Sequence, residues 1–365
     1  MATLDVRLRQ RIADAAEPSE AARWQAELAA YLARMGRFEQ GRATLAAIDA
    51  QARWASPALA CRVFLAQGLI ALADEFGPEA ADRLRRAHAV AQLCGLAGPA
   101  ATVAAWLGHY AFNQGHYEEM AQWHQACVAG GPDVEPAARN RLLLTAANAW
   151  RHAGDFELSD RLYASAHALA VREGDEAFIA AGLYNRAACG IARLRLEAVD
   201  APAPSAARLQ QAGLEIDSAI HYAQGTGHEA STALQALWRA RLAMLQGRHA
   251  EALPVLRHSL EHLAEARHEH LRLSLRVDCL ACEAALGQAP ATPAPDPLDA
   301  AILEPDDRVV CLWQLERLSD QAGAGGAPVR ELRQRAQAAH QAEIQRVSRQ
   351  LRLLEIPEDW LVRAR

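Results

Sequence analysis

The segment LTAANAWRHAGDFELSDRLYASA, residues 144–166, repeats the residue pattern of AWLGHYAFNQGHYEEMAQWHQAC, residues 105–127, at a shift of 39 residues. The shared positions are two small or apolar residues, a glycine, and an aromatic residue two positions later: Leu107-Gly108, Gly115 and Tyr117, then Ala146-Ala147, Gly154 and Phe156. A shift of 40 toward the N-terminus places Gln67-Gly68 and Ala87 in corresponding positions. A fixed period of this size is typical of solenoids, so the repeat predicts the fold.

Each unit of the pattern is predicted to be a helix, a glycine turn and a second helix. The turns read Gly36-Arg37-Phe38, Gly115-His116-Tyr117, Gly154-Asp155-Phe156 and Gly247-Arg248-His249. Glycine suits the C-terminal end of a helix because it adopts positive φ without a Cβ clash. In the second helices, small or apolar residues recur at spacings of four and three, which places them on one helical face.

These residues resemble the tetratricopeptide repeat family, and residues 105–127 and 144–166 are the best matches. The resemblance covers about three quarters of the chain and implies an all-α, right-handed superhelical solenoid of helix pairs. The units fall at 22–49, 61–92, 101–129, 137–171, 176–224 and 229–264, followed by an inner helix at 267–287. The period of 39–40 residues exceeds the family's usual length of about 34, which predicts longer helices.

The sequence predicts three regions along the chain. Residues 1–287 form the solenoid of about six helix pairs, 288–300 form a proline-rich linker, and 301–365 form C-terminal helices that cap or extend it. In the last predicted helix, 329–355, Ile344, Val347, Leu351 and Leu354 make an apolar stripe. The helix caps the solenoid through this stripe, pairs with a second copy as a coiled coil, or contacts nucleic acid or an acidic partner through its arginines, and these alternatives remain open.

Composition excludes several classes of protein. The net charge of −6 argues against nucleic-acid binding by the whole chain. No run of 18 apolar residues predicts a membrane span, and residues 1–17 lack the apolar core of a signal peptide. The seven scattered cysteines suit a reducing compartment. These observations predict a cytoplasmic protein that does not associate with membranes.

The first helix of each pair is expected to line the concave face, where a partner would bind. Residues between its packing positions combine amide, imidazole, guanidinium and aromatic groups that can hold an extended peptide. The candidate groove residues are His109, Phe112, Asn113, Arg141, Asn148, Arg151, His152, Tyr184, Asn185, Trp238 and Arg241. The resemblance places Asn148 and Asn185 at the two Asn positions of a carboxylate clamp, although Leu144 and Leu234 replace two of its basic residues.

Two short motifs match patterns of metal or redox sites, but their sequence context indicates that they have no such function here. His258-Ser259-Leu260-Glu261-His262 has the H-x-x-E-H pattern of inverted zinc peptidases, but it lies on a predicted second helix without a further acidic ligand. Cys279-Leu280-Ala281-Cys282 is a single C-x-x-C within an apolar helix, which favours burial. The chain has no lysine and therefore no phosphate-binding G-x-x-x-x-G-K loop. We expect no enzymatic activity, metal or cofactor.

The sequence therefore predicts a non-enzymatic scaffold or adaptor that binds a protein or peptide. A homodimer through the C-terminal helix is left open. The alternative function is a ligand- or peptide-responsive regulator, because the layout also resembles the sensory repeat region of bacterial diguanylate cyclases. The cyclase motif G-G-D/E-E-F does not occur in the sequence.

Overall fold

The computed structural model describes residues 2–48, 56–75, 77–200, 204–262, 269–291, 293–323 and 325–362, which form helices and no strand. The end of the first predicted repeat, most of Ala201-Pro202-Ala203-Pro204, and residues 263–268 lie outside this part. The sixteen described α-helices are α1 (Leu4–Asp14), α2 (Pro18–Arg34), α3 (Phe38–Ala46), α4 (Pro57–Glu75), α5 (Pro78–Leu93), α6 (Ala97–Asn113), α7 (Tyr117–Val128), α8 (Pro136–His152), α9 (Phe156–Glu173), α10 (Glu176–Asp200), α11 (Ala206–Thr226), α12 (Thr232–Leu245), α13 (His249–His262), α14 (Glu269–Ala285), α15 (Pro305–Gln321) and α16 (Ala327–Leu351). The predicted all-α class is confirmed.

The chain divides into two compact units. The first unit comprises Met1–Gly182, Tyr222–Ser231 and Val347–Arg365, and the second comprises Leu183–His221 and Thr232–Arg346. The linker predicted at 288–300 therefore falls inside the second unit. Among the described residues, no helix combines the length and apolar character needed to cross a bilayer.

Helices of the first unit pack in a regular order. Each of α2, α4, α6 and α8 contacts the helix that follows it, and also contacts the next member of this series. The intervening helices α3, α5 and α7 contact the helix after them as well. In the second unit α12, α13, α14 and α15 contact one another in succession, so α14 packs against both α13 and α15.

The predicted glycine turns form at all four positions. Gly36, Gly115, Gly154 and Gly247 have φ values of 82°, 71°, 79° and 75°. In each turn the next residue's N–H donates to a carbonyl five residues earlier, as from Arg37 to Leu32 and from Asp155 to Trp150, both at 2.9 Å. This hydrogen bond satisfies a carbonyl at the end of the helix and reverses the chain, so the two flanking helices pack together.

Small residues at the predicted Leu-Gly pairs let adjacent helices approach closely. A Cβ added at Gly108 on α6 would lie 2.5 Å from Cδ2 of His124 on α7. A Cβ at Gly68 on α4 would lie 2.8 Å from Cδ2 of Leu84 on α5. His124 is fully buried, and its burial lowers the pKa of the imidazole to about 3.

The C-terminal segment of the first unit packs on α6 to α9. Val347, Leu351 and Leu354 of the predicted stripe are buried. Ile356 and Trp360 pack against the core cluster that includes Ala101 and Leu142. Two hydrogen bonds fix the backbone, from Gln125 Nε2 to Leu353 O at 2.7 Å and from Val362 N to Ser165 Oγ at 2.9 Å. Three of the four residues of the apolar stripe are therefore buried by other parts of the same chain.

The proline-rich region is partly ordered by a short 3-10 helix, Pro297–Ile302. The Asp296 carboxylate accepts a hydrogen bond from Leu298 N at 2.9 Å and so caps this helix. Ala300 is buried in the same cluster as Leu273 of α14 and Leu312 of α15. Prolines prevent an α-helix here, but the segment still contributes to the core.

We predict that Gly108→Ala lowers the free energy of unfolding by about 1–3 kcal/mol, because the new methyl group overlaps the His124 ring. Urea denaturation followed by circular dichroism measures the change. Gly225→Ala on α11 is the control, since nothing lies within 4 Å of a Cβ at that position. It should leave stability unchanged or raise it by up to about 1 kcal/mol. In a His124→Ala background, Gly108→Ala should cost nothing, and an equal loss in both backgrounds would refute the steric explanation.

We also predict that buried His124 makes the fold sensitive to acid. Above pH 6.5 its imidazole is neutral in both states, whereas between pH 6.5 and 3 the unfolded state binds a proton that the folded state does not. Stability therefore falls as the pH decreases, by about 2 kcal/mol between pH 6.5 and 5. Denaturation curves of His124→Met should lack this component. Exposed His221→Gln is the control and should retain it, and the same pH dependence in all three proteins would contradict the assignment.

Candidate functional site

The first unit contains a cluster in which two stacked aromatic rings lie between two arginine side chains. The Arg34 guanidinium on α2 lies 4.4 Å from the ring centre of Phe178 on α10. The Phe178 ring stacks on Trp106 of α6, with a centroid separation of 6.5 Å and an interplanar angle of 22°. Arg141 of α8 lies 4.3 Å from the Trp106 ring and 5.1 Å from that of Phe178. Four helices thus contribute to one cluster, which we call the arginine–aromatic stack.

Arg34 has a carboxylate partner in this stack. Its Nη1 lies 2.7 Å from Asp175 Oδ2, and both side chains are largely buried. The other oxygen, Asp175 Oδ1, accepts a hydrogen bond from Phe178 N at 3.2 Å at the start of α10. Both oxygens of Asp175 are therefore engaged, and Asp175 forms no ion pair with Arg141.

Arg141 is a buried cation that no carboxylate of the described residues contacts, and the charge of Asp175 acts on it only at a distance. Its side chain makes no hydrogen bond or ion pair in the part of the chain that the structure describes, and the residue is only 7% exposed. Burial, reinforced by the charge of Arg34, lowers the pKa of Arg141 to about 9. The guanidinium therefore stays charged at neutral pH, and the two aromatic rings supply only part of the lost solvation.

His109 on α6 lies next to the arginine–aromatic stack and contacts both Trp106 and α8. Its ring meets Trp106 edge-on at 5.7 Å, and its Nδ1 lies 3.5 Å from Thr145 Oγ1 on α8. Burial and the nearby Arg141 charge hold the pKa of His109 well below its usual value. The imidazole is therefore neutral at physiological pH and adds no second positive charge beside Arg141.

The C-terminal ends of α6 and α8 carry the accessible members of the predicted set. Asn113 and His152 are exposed, while Phe112 is half-buried, 5.7 Å from the His152 ring. Arg151 pairs with Asp160 at 3.2 Å and lies 5.6 Å from the Phe156 ring. Together these side chains form a mixed polar and aromatic surface.

A carboxylate clamp would require the Asn148 side chain to be accessible to a ligand, but it is not. It is buried, and its Oδ1 accepts a hydrogen bond from the Tyr163 hydroxyl on α9. This bond ties the first helix of the pair to the second. The amide therefore contributes to packing inside the first unit.

The remaining predicted residues belong to the second unit. The Trp238 side chain hydrogen-bonds to Tyr184, whose burial raises the pKa of its hydroxyl to about 12. Asn185 is half-buried. Arg241 is only 2% exposed and bonds Asp278 Oδ2 through Nε at 2.9 Å. Arg241 was predicted to line the groove, but its guanidinium is buried and paired with Asp278. It is therefore not part of the proposed peptide site.

The two short motifs differ in accessibility. His258, Glu261 and His262 are exposed on α13, and their candidate ligand atoms lie within 4.8 Å of one another. The His262 Nδ1 lies 2.8 Å from the His258 carbonyl oxygen. Cys279 and Cys282 are buried, and burial raises the pKa of both thiols to about 12, so the predicted burial is confirmed.

Comparison with known proteins adds no identification. No protein-family model matches the chain, and no curated protein matches its sequence.

Sequence reasoning identified Arg141 and His109 but missed Trp106, Phe178 and Arg34. A partial signal was present, since Trp106 precedes the Leu-Gly pair and Phe178 lies near the start of the fifth unit. Their contact joins positions 72 residues apart. Local periodicity places each residue on a helix face but does not determine which faces meet.

We predict opposite effects on stability for the two arginines of the stack. Arg141→Met should raise the free energy of unfolding by about 1 kcal/mol, because it removes a desolvated charge that has no counter-ion. Arg34→Met should lower it by about 3 kcal/mol, because Asp175 then remains buried and unpaired. Thermal and urea denaturation of both variants measure the difference. A loss of similar size in both would show that Arg141 is stabilised as well as Arg34.

Proposed function

We propose that the chain is a tetratricopeptide-like solenoid that acts as a non-enzymatic scaffold and binds a carboxylate-bearing peptide at Arg141. The repeated glycine turns and the succession of contacts along α2, α4, α6 and α8 support the repeat assignment. The observation that carries the binding proposal is the buried, unpaired guanidinium of Arg141. Such a group costs stability unless a bound anion compensates it.

The chemistry of the surroundings favours a peptide over an inorganic anion. From Arg141, the site continues past His109 to Phe112, Asn113 and His152 at the helix ends. An amide side chain can pair with a peptide unit, and the aromatic groups offer apolar contact. A simple inorganic anion would use only the charge at Arg141.

The expected affinity is modest. A charged hydrogen bond contributes about 1.5–3 kcal/mol and a neutral one about 0.5–1.5 kcal/mol. Two bonds from Arg141 and a few contacts at the helix ends therefore give roughly 8 kcal/mol, or a micromolar dissociation constant. An affinity of this size suits a partner that binds and dissociates readily.

A peptide selection tests this proposal. Random peptides with free C-termini are selected on the immobilised full-length chain, and the best binder is measured by fluorescence anisotropy. We then neutralise its carboxylates singly, as Asp→Asn, Glu→Gln or a C-terminal amide. One of these changes should weaken binding at least about tenfold, since a charged hydrogen bond is lost.

Protein variants connect that carboxylate to Arg141. Arg141→Met should weaken binding of the acid form at least about tenfold and leave the neutralised form unaffected. Arg86→Gln removes an exposed arginine on α5 and serves as the control. The proposal fails if no peptide is enriched, or if Arg141→Met and Arg86→Gln bind the selected peptide equally.

A further inference from the structure

A cavity of about 460 Å³ lies inside the second unit, where residues of α10, α12, α14 and α15 approach one another. Its volume falls within the range of about 300–1000 Å³ that is common for small-molecule sites. The peptide site proposed above lies on helices of the first unit, so the two proposals are independent.

The charged side chains that line the cavity are all basic. They are Arg195, Arg241 and Arg317, together with the imidazole of His249. Among the described residues of the lining, no aspartate or glutamate occurs. The wall therefore presents positive charge to whatever enters the cavity.

Two of these arginines are held by carboxylates behind the wall. Asp278 is fully buried and accepts hydrogen bonds from Arg195 at 2.8 Å and Arg241 at 2.9 Å. Asp307 lies 2.9 Å from Arg195. Burial alone would raise the pKa of Asp307, but the charges of Arg241 and Arg195 outweigh it and keep the carboxyl ionised. Two carboxylates thus neutralise these two guanidinium groups.

Arg317 is the third arginine, and its charge is not neutralised. Its guanidinium lies 4.9 Å from the ring centre of Trp313. It makes no hydrogen bond or ion pair with any residue that the structure describes. Burial and the charge of Arg317 lower the pKa of His249, so this imidazole adds no charge at neutral pH. The cavity consequently carries one excess positive charge.

Most of the remaining wall is apolar, apart from the side-chain amides of Gln314 and Gln321. Met244, Leu245, Val310 and Leu318 line it with several alanines, and the half-buried Trp313 indole offers a flat aromatic surface. An inorganic anion would leave this apolar area without a contact. A neutral hydrocarbon, in turn, would make no ion pair with Arg317.

We propose that this cavity binds a small organic carboxylate with a flat apolar body, whose carboxylate pairs with Arg317 and whose body packs on Trp313. Guanidinium and carboxylate match in geometry and can form two parallel hydrogen bonds. The apolar body gains free energy from leaving water, at about 25 cal/mol per Å² of buried apolar surface. Both halves of the ligand thus have a counterpart on the wall.

Isothermal titration of the full-length chain with 2-naphthylacetate tests the proposal. The matched probe is 2-naphthylacetamide, which has nearly the same shape but no charge. We expect the acid to bind with a stoichiometry of one, at least about tenfold more tightly than the amide, since a charged hydrogen bond is worth about 1.5–3 kcal/mol. The proposal is overturned if the acid does not bind at millimolar concentration, or if acid and amide bind equally.

Two variants locate the binding site. Arg317→Gln changes an exposed side chain and should remove the preference for the acid without changing the affinity for the amide. Ala281→Leu narrows the cavity and should weaken both probes. Arg86→Gln in the first unit is the control and should bind like the unmodified protein. Unchanged binding in both cavity variants would place the ligand elsewhere and refute the assignment.

Discussion

The glycine turns after α2, α6, α8 and α12 are the interactions on which these four helix pairs depend. Positive φ at Gly36, Gly115, Gly154 and Gly247 allows the following N–H to reach a carbonyl five residues back. An L-residue with a side chain would be strained in this conformation. The turn closes one helix and starts the next, so the small residues of the two helices come into contact. His124 can lie against Gly108 only because α6 and α7 are joined in this way.

Arginine supplies every permanent side-chain cation of this chain, and its environments differ sharply. Arg34, Arg195 and Arg241 are buried beside carboxylates that compensate their charge. Arg141 is buried without such a partner, while Arg317 lies over an indole at a cavity wall. Removing a paired guanidinium leaves a buried carboxylate uncompensated, whereas an unpaired guanidinium retains its capacity for an external anion. This difference separates structural from candidate functional arginines.

Each unit therefore has its own candidate anion site, and the two sites suit different ligands. Around Arg141 the accessible groups extend along the ends of α6 and α8, which suits an extended chain. Around Arg317 the walls enclose a limited volume of apolar character, which suits a compact molecule. The shared element is a cation beside an aromatic ring, at 4.3 Å from Trp106 and 4.9 Å from Trp313.

The amino-acid sequence alone determined the helical class, the glycine turns and the burial of Cys279 and Cys282. These features depend on residues that are neighbours along the chain, and local periodicity and φ preferences encode them directly. It also placed Arg141, Asn148 and Arg241 on first helices, but it did not distinguish their roles. Arg34 pairs with Asp175, which is 141 residues away in the sequence, and Arg195 pairs with Asp278, which is 83 residues away. Only the tertiary structure decides which helix faces meet, and hence which guanidinium is neutralised and which remains unpaired.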